Sequence, residues 1–181
     1  MLSSESKKNH LLAALPHAES QRWLLRLEPV DLSLGEVLYE SGVSLSHVYF
    51  PTTAIISLLY VMENGASAEI AIVGNEGIVG ISLFMGGEST TSRAVVQSAG
   101  KGFRLKARLM KQEFHRAGPA LHLLLRYTQA LITQMSQTAV CNRPRGQITV
   151  LDRAALEKRS CECYAVVKKE YDRLLPVKLA S

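Results

Sequence analysis

The feature that most constrains the fold is a series of short apolar runs between residues 35 and 106, each ending within about 8 to 15 residues. The runs read GEVLYESG, SHVYFPTT, AIISLLYVMENG, ASAEIAIVGNEG and SRAVVQSAGKGFRLK. They are rich in Val, Ile, Tyr and Phe, and Gly, Asn, Ser or Pro separates them, which is typical of an antiparallel barrel or sandwich. Asn64-Gly65 predicts a hairpin, because tight two-residue turns need residues that tolerate positive φ.

Helical periodicity flanks these predicted strands on both sides. The stretch AESQRWLLRLEPV predicts a helix that Pro29 ends, because proline cannot continue a helix. RLMKQEFHRAG predicts a second helix ending at Gly118, and Pro119 opens a third, which runs to residue 140 and is about 30 Å long. The sequence therefore predicts an α+β fold, an antiparallel β-roll flanked by helices.

The long helix carries an apolar stripe whose members recur at spacings of three and four. A stripe of this length either lies on the β-domain or pairs with its copy in a dimer. Leu123 adds apolar surface on a further face, which favours both arrangements at once. The predicted dimer interface comprises Leu121, Leu124, Leu125, Thr128, Leu131, Ile132 and Met135.

Composition narrows the class of protein. A hydrophobic fraction of 47% in 181 residues is ample for a core, and no apolar run approaches the roughly 20 residues that cross a bilayer. The N-terminus has no pattern of a secretion signal, so we expect a soluble, cytoplasmic chain. Three cysteines are too few for a disulfide framework, and Cys161 and Cys163 lack the second ligand pair of a zinc site. We expect no metal.

The net charge of +5 is unevenly distributed. Residues 1–139 hold 12 basic and 11 acidic side chains, whereas residues 140–181 hold 9 and 5. A basic C-terminal segment is compatible with nucleic-acid contact, and equally with a solvated helix face.

The C-terminal segment follows the long helix after an unusually short join. Only Arg143 to Gly146 separate that helix from a predicted strand, QITVL. Asp152 then caps a predicted tail helix. This helix carries an apolar stripe that needs a partner surface, and the neighbouring sequence offers none. The stripe consists of Ala155, Leu156, Tyr164, Val167, Tyr171 and Leu174.

This order of elements resembles the sensor half of Crp/Fnr-type bacterial transcription regulators. The segments that carry the resemblance are LSLGEVLYESG, VYFPTTAIISLL, VGNEGIVGISLFMGG, SRAVVQSAG and the CNR that ends the long helix. The resemblance covers roughly residues 18–143. It implies a cyclic-nucleotide-binding-like β-roll, or double-stranded β-helix, over residues 1–118 and a dimerisation helix over 119–143. Residues 144–181 would be a remnant of a DNA-binding domain, a wing-like strand plus the tail helix.

In family members that bind cyclic AMP, a Gly-Glu pair and an Arg-Ser pair enclose the cyclic phosphate and the ribose. Here Ile81 follows Gly80, and Arg93 stands beside Ala94, one residue out of place. A shift of one residue on a strand turns a side chain to the other face, so the resemblance argues against standard cyclic AMP binding and leaves another small ligand open. Glu76 is predicted to serve a turn. The candidate ligand cassette comprises Gly77, Gly80, Ile81, Ser82, Ser92, Arg93 and Ala94.

In this family a winged helix-turn-helix follows the dimer helix. The residues after the join resemble its wing and its tail, but four residues cannot hold two DNA-reading helices, which indicates an internal deletion. We therefore expect a non-enzymatic sensor and dimerisation module with impaired sequence-specific DNA binding. It would pair with itself or with a full-length paralogue, and its effector would act through residues 86–87 on the long helix.

Two alternatives stay open. In one, the basic segment from Asp152 to Leu175 makes the chain a functional DNA-binding regulator. In the other, the roll cavity serves a small-ligand carrier or an enzyme, although His-x-His, Ser-His-Asp and paired-carboxylate patterns are missing from the sequence. No cofactor and no catalytic residue is predicted.

Overall fold

The computed structural model describes residues 2–62, 64–85, 87, 89–141 and 162–175. Within these ranges, seven strands occupy the middle of the chain: β1 (Glu28–Leu32), β2 (Val37–Tyr39), β3 (His47–Pro51), β4 (Ile55–Val61), β5 (Ser67–Val73), β6 (Ser92–Ser98) and β7 (Gly100–Lys106). The helices are α1 (Leu2–Ser6), α2 (His10–Ala13), α3 (His17–Leu24), α4 (Ala107–His115), α5 (Pro119–Cys141) and α6 (Glu162–Leu174). A short 3-10 turn spans Ile81–Leu83.

The strands form two antiparallel sheets, which confirms the predicted antiparallel β-roll flanked by helices. One sheet has the order β1-β7-β3 and the other the order β2-β6-β4-β5. The hairpin predicted at Asn64-Gly65 joins β4 to β5: the Met62 amide donates to the Ala66 carbonyl at 2.8 Å, and Gly65 has a φ of +82°. That φ favours glycine because a Cβ makes the left-handed region costly.

Apolar side chains from both sheets and from the flanking helices form one core. Trp23 of α3 contacts Phe50 of β3 edge to face, with ring centroids 5.9 Å apart. Helix α5 adds Leu124, Tyr127 and Leu131, all essentially inaccessible to solvent. The α5 helix therefore belongs to the same core as the sheets and runs alongside β5.

Helix α3 is shorter than the sequence predicts. Helix α3 ends at Leu24, and residues 28–32, part of which was assigned to this helix, form strand β1 instead. Pro29 lies inside β1, which among the described strands pairs only with β7 and so lies at the edge of its sheet. An edge strand tolerates proline because one side of its backbone has no partner strand.

The N-terminal helices are fastened to the roll by a buried asparagine. Asn9 caps α2 by accepting a hydrogen bond from the Leu12 amide at 3.1 Å. Its side-chain nitrogen donates to the carbonyls of Pro51 and Gly77 at 2.9 and 2.8 Å. This fixes the turn after β5, which carries part of the candidate cassette.

Helix α6 packs along α5. No segment next to the tail stripe in the sequence was expected to cover it, and in the structure α5 does so for the part of α6 whose side chains are described: Tyr171 and Leu175 are buried and Leu174 is half-buried. The short join, the strand QITVL, Asp152 and Gly86 lie outside the described residues. Within the ranges that the structure covers, no helix is long and apolar enough to span a membrane.

Candidate functional site

Strand β6 presents alternate residues to the two faces of its sheet. Ser92, Ala94 and Val96 are buried, whereas Arg93 and Val95 between them are half-buried. The buried positions lie beside core residues of β4, since Ala94 pairs with Leu58 and Val96 with Ile56. The inner face of the roll at β6 is thus lined by small, uncharged side chains.

Arg93 lies on the outer face of β6 and is engaged with an acid. Its Nε is 3.2 Å from Oε2 of Glu40, which follows β2, and both side chains are partly exposed. The alternation of burial confirms that Arg93 and Ala94 point to opposite faces, as the period-two geometry of a strand requires. The guanidinium is thus directed at Glu40 and away from the roll interior.

The inner face at the start of β6 carries hydroxyl groups. The Oγ of the buried Ser92 is 3.0 Å from Oγ1 of Thr90. Burial raises the pKa of the Tyr39 phenol, and a hydrogen bond with Ser92 partly offsets the rise. These groups can hydrogen-bond a neutral ligand, but none of the three is charged at neutral pH.

The other half of the cassette lies in the turn after β5. Glu76 accepts a hydrogen bond from the Gly74 amide at 2.8 Å, which confirms that this carboxylate serves the turn. Gly80 has a φ of +102° and leads directly into the 3-10 turn that Ile81 begins. The Oγ of Ser82 is buried and has no hydrogen-bond partner among the residues described.

The segment between the two halves is tied to the roll at both ends. At one end the Gly87 amide donates to the Ser82 carbonyl at 3.0 Å. At the other end the Gly42 amide donates to the Thr90 carbonyl at 2.8 Å, and the Ser41 hydroxyl donates to the Thr91 carbonyl at 3.0 Å. These bonds hold the cassette beside the loop that follows β2.

The predicted dimer stripe divides into two groups on α5. Leu124, Thr128 and Leu131 are at most 4% exposed because elements of the same chain cover them. Leu125 and Ile132 are each 46% exposed, and Leu121 and Met135 are intermediate. Only this second group offers apolar surface to a second molecule, and the dimer itself stays a prediction.

Three contacts of the site were not predicted from the sequence. Glu40 and Asn9 were not singled out, although an asparagine before the apolar HLLA run is a recognisable helix-capping signal. The third is an aromatic contact between α5 and α6, in which the rings of Tyr127 and Tyr171 lie 6.1 Å apart. Each of these contacts joins segments distant in sequence, which a local pattern does not reveal.

No protein-family model matches the sequence, and no curated protein matches it significantly. Solved structures do match. The sensor domain of the transcriptional regulator DNR from Pseudomonas aeruginosa aligns with a TM-score of 0.55 and 14% identity over 77% of this chain and 91% of that one. The N-terminal domain of a transcriptional regulator from Streptomyces coelicolor A3(2) aligns with a TM-score of 0.53 and 20% identity, over 78% and 99%.

A regulatory subunit of a cAMP-independent protein kinase A from Trypanosoma brucei, in a mutant form bound to cAMP, aligns with a TM-score of 0.60 and 16% identity. That alignment covers 70% of this chain but only 45% of the subunit. The chain therefore has the fold of these transcriptional-regulator domains and of this kinase regulatory subunit.

Proposed function

We propose that the chain is the sensor module of a Crp/Fnr-type transcriptional regulator whose effector is not a cyclic nucleotide. The observation that carries the proposal is the orientation of β6, which directs Ser92 and Ala94 into the roll and Arg93 out toward Glu40. The fold supports a sensing role, and the orientation of Arg93 restricts what is sensed.

The restriction follows from electrostatics. A phosphate monoanion buried in a roll needs a cation or several free amides, because an unpaired buried charge is strongly unfavourable. To supply that cation, Arg93 would have to leave Glu40 and cross to the opposite face of its strand. Hydroxyls at Ser92, Thr90 and Tyr39 instead suit an uncharged ligand with hydrogen-bonding groups.

Calorimetric titration with cyclic AMP and cyclic GMP tests the proposal. We expect no binding by the wild-type chain at ligand concentrations up to about 1 mM, which corresponds to a binding free energy weaker than about −4 kcal/mol. The Arg93→Ala variant should give the same result. Micromolar binding that Arg93→Ala abolishes would show that the arginine does reach a phosphate and would refute the proposal.

We also propose that the module forms a dimer through the exposed part of α5, with itself or with a full-length paralogue. Leu125 and Ile132 are seven residues apart and therefore lie on one side of the helix, two turns from each other. Exposed leucine and isoleucine side chains at this spacing on one helix favour contact with a second helix.

Sequence-specific DNA binding by this chain is proposed to be impaired, because four residues between the long helix and the next predicted strand cannot hold two reading helices. The alternative relies on basic side chains such as Lys168 and Lys169, which are exposed on α6. Fluorescence anisotropy with duplex DNA separates the two. Weak binding that does not depend on sequence supports impairment, whereas tight binding to palindromic sites with a steep salt dependence supports the alternative.

A further inference from the structure

The contact between α5 and α6 is built around two buried tyrosines. Tyr127 is fully buried and Tyr171 is 9% exposed, and their rings are tilted by 55° with centroids 6.1 Å apart. The Tyr127 hydroxyl lies beside the Tyr171 hydroxyl and beside the Ile78 backbone, so the two side chains meet through polar as well as aromatic atoms.

The same pair reaches the turn that carries the candidate cassette. A Cβ built on Gly77 would lie 2.4 Å from both Cε2 and Oη of Tyr127, so the ring rests directly on the Gly77 backbone. Burial raises the pKa of both tyrosine hydroxyls, and the nearby Glu76 carboxylate adds to the rise. Both tyrosines therefore remain protonated at physiological pH beside the Gly74–Gly77 turn.

These contacts form a continuous path from the turn to the tail. Gly77 touches Tyr127, Tyr127 touches Tyr171, and Tyr171 is one of the few side chains known to anchor α6. Gly77 is three residues before Gly80 and the 3-10 turn, so a shift of the cassette moves the surface on which Tyr127 rests. A movement of the turn by about 1 Å would change the packing of both tyrosine rings, since tightly packed side chains leave no free space.

We propose that α6 can dissociate from α5, and that its docking is coupled to the conformation of the 74–82 turn through Gly77, Tyr127 and Tyr171. A conformational change in the roll would thus alter the docking of α6 directly, independently of any DNA contact. The coupling does not depend on the identity of the effector or on dimer formation. It can be tested in the isolated full chain without a ligand.

Hydrogen exchange measured by mass spectrometry on the full chain is the test, with the peptide covering residues 162–175 as the readout. Gly77→Ala should raise the exchange rate of α6 amides about tenfold, because the new methyl group displaces Tyr127 while the φ of Gly77 suits alanine. Gly118→Ala is the matched control, since its nearest neighbour would be a Glu19 oxygen 3.9 Å away. Peptides from β4 and β5 should stay as protected as in the wild type.

Two substitutions at Tyr171 separate the role of the ring from that of its hydroxyl. Tyr171→Phe keeps the ring against Tyr127 and should leave the exchange of α6 close to that of the wild type. Tyr171→Ala should release α6 and, because coupling is reciprocal, raise exchange in the 74–82 turn as well. If Gly77→Ala unfolds the whole chain, the two Tyr171 variants test the coupling instead.

The proposal is overturned if α6 keeps its wild-type protection in a folded Gly77→Ala variant. It is also overturned if Tyr171→Ala releases α6 without any change in the turn, because the tail would then be docked but not coupled. A Tyr171→Phe variant that exposes α6 to exchange as fully as Tyr171→Ala also overturns it, because the aromatic contact would then not hold the helix. None of these outcomes depends on whether a cyclic nucleotide binds.

Discussion

Glu113 shows how a single buried carboxylate joins two helices of this fold. It lies on α4 with its side chain 4% exposed, and Oε2 accepts a hydrogen bond from the Arg22 guanidinium of α3 at 3.1 Å. Its other oxygen is 3.5 Å from Nη1 of Arg116. Because a buried charge is tolerated only when it is paired, the two arginines and Glu113 form one unit.

The first prediction concerns this unit. Glu113→Gln should lower the free energy of unfolding by about 1–3 kcal/mol, because the guanidinium of Arg22 loses the nearer of its two charged partners, keeps Glu19 at 3.7 Å and is exposed enough to regain some water. Urea denaturation followed by circular dichroism measures the change. Glu5→Gln breaks the exposed pair with Lys8 and should cost less than about 0.5 kcal/mol. Equal losses in the two variants would contradict the importance of burial.

Local sequence rules predict which face of a strand a side chain occupies, but they do not predict which residue it contacts. The alternation of a strand was enough to place Arg93 and Ala94 on opposite faces. It could not supply Glu40, which lies 53 positions earlier in the chain and meets Arg93 only after β2 and β6 pair. The predicted role of Glu76 succeeded because its hydrogen-bond partner, Gly74, is two residues away.

At the scale of elements, strands β2 to β7 all fall within apolar runs that the sequence marks, and β1 does not. Strands β4 and β5 are joined by a recognisable turn, so their pairing follows from local sequence. Strand β1 contains Pro29 and follows a helix without a glycine between them. The rule that proline ends a helix places the end of α3 too late, since that helix stops at Leu24, and pairing with β7 makes residues 28–32, including Pro29, a strand.

The connection between β6 and β7 requires glycine at position 100, because a larger residue would collide with neighbouring backbone atoms. A Cβ on Gly100 would lie 2.5 Å from the Ala54 amide nitrogen and 2.7 Å from the Thr53 carbonyl carbon. Both are backbone atoms, and the neighbouring Lys101 carbonyl accepts a hydrogen bond from the Thr52 amide at 2.9 Å. The obstruction therefore cannot be relieved by a side-chain rotation.

The second prediction follows from this close approach. Gly100→Ala should lower the free energy of unfolding by about 2–3 kcal/mol, because the backbone around residues 53–54 must shift to admit the methyl group. Chemical denaturation with urea measures the loss. Gly118→Ala, which meets nothing closer than 3.9 Å, should be neutral or slightly stabilising. An unchanged free energy of unfolding in Gly100→Ala would mean that the backbone at residues 53–54 shifts without a loss of stability.

At the scale of the whole molecule, α5 serves two surfaces at once. Sequence periodicity selected a single stripe of seven residues, because a helical repeat gives the direction of a side chain but not what lies opposite it. The structure divides the stripe: Leu124, Thr128 and Leu131 face the chain's own elements, and Leu125 and Ile132 remain exposed. The predicted interface can therefore be assigned to a second molecule only on its exposed edge.

The third prediction addresses that edge. Replacing Leu125 and Ile132 together by glutamate should raise the dimer dissociation constant on the order of 100-fold, because each charge would be desolvated in a helix–helix contact. Analytical ultracentrifugation of the full chain measures the constant, and Leu34→Glu, at a side chain 72% exposed and remote from α5 in sequence, is the control. Native mass spectrometry after mixing with a full-length paralogue extends the test, since mixed dimers should form with the wild-type chain and be lost with the double variant. A wild-type chain that is monomeric at about 100 μM, or a double variant that dimerises as well as the control, would remove α5 as the pairing surface and with it the proposed pairing with a full-length paralogue.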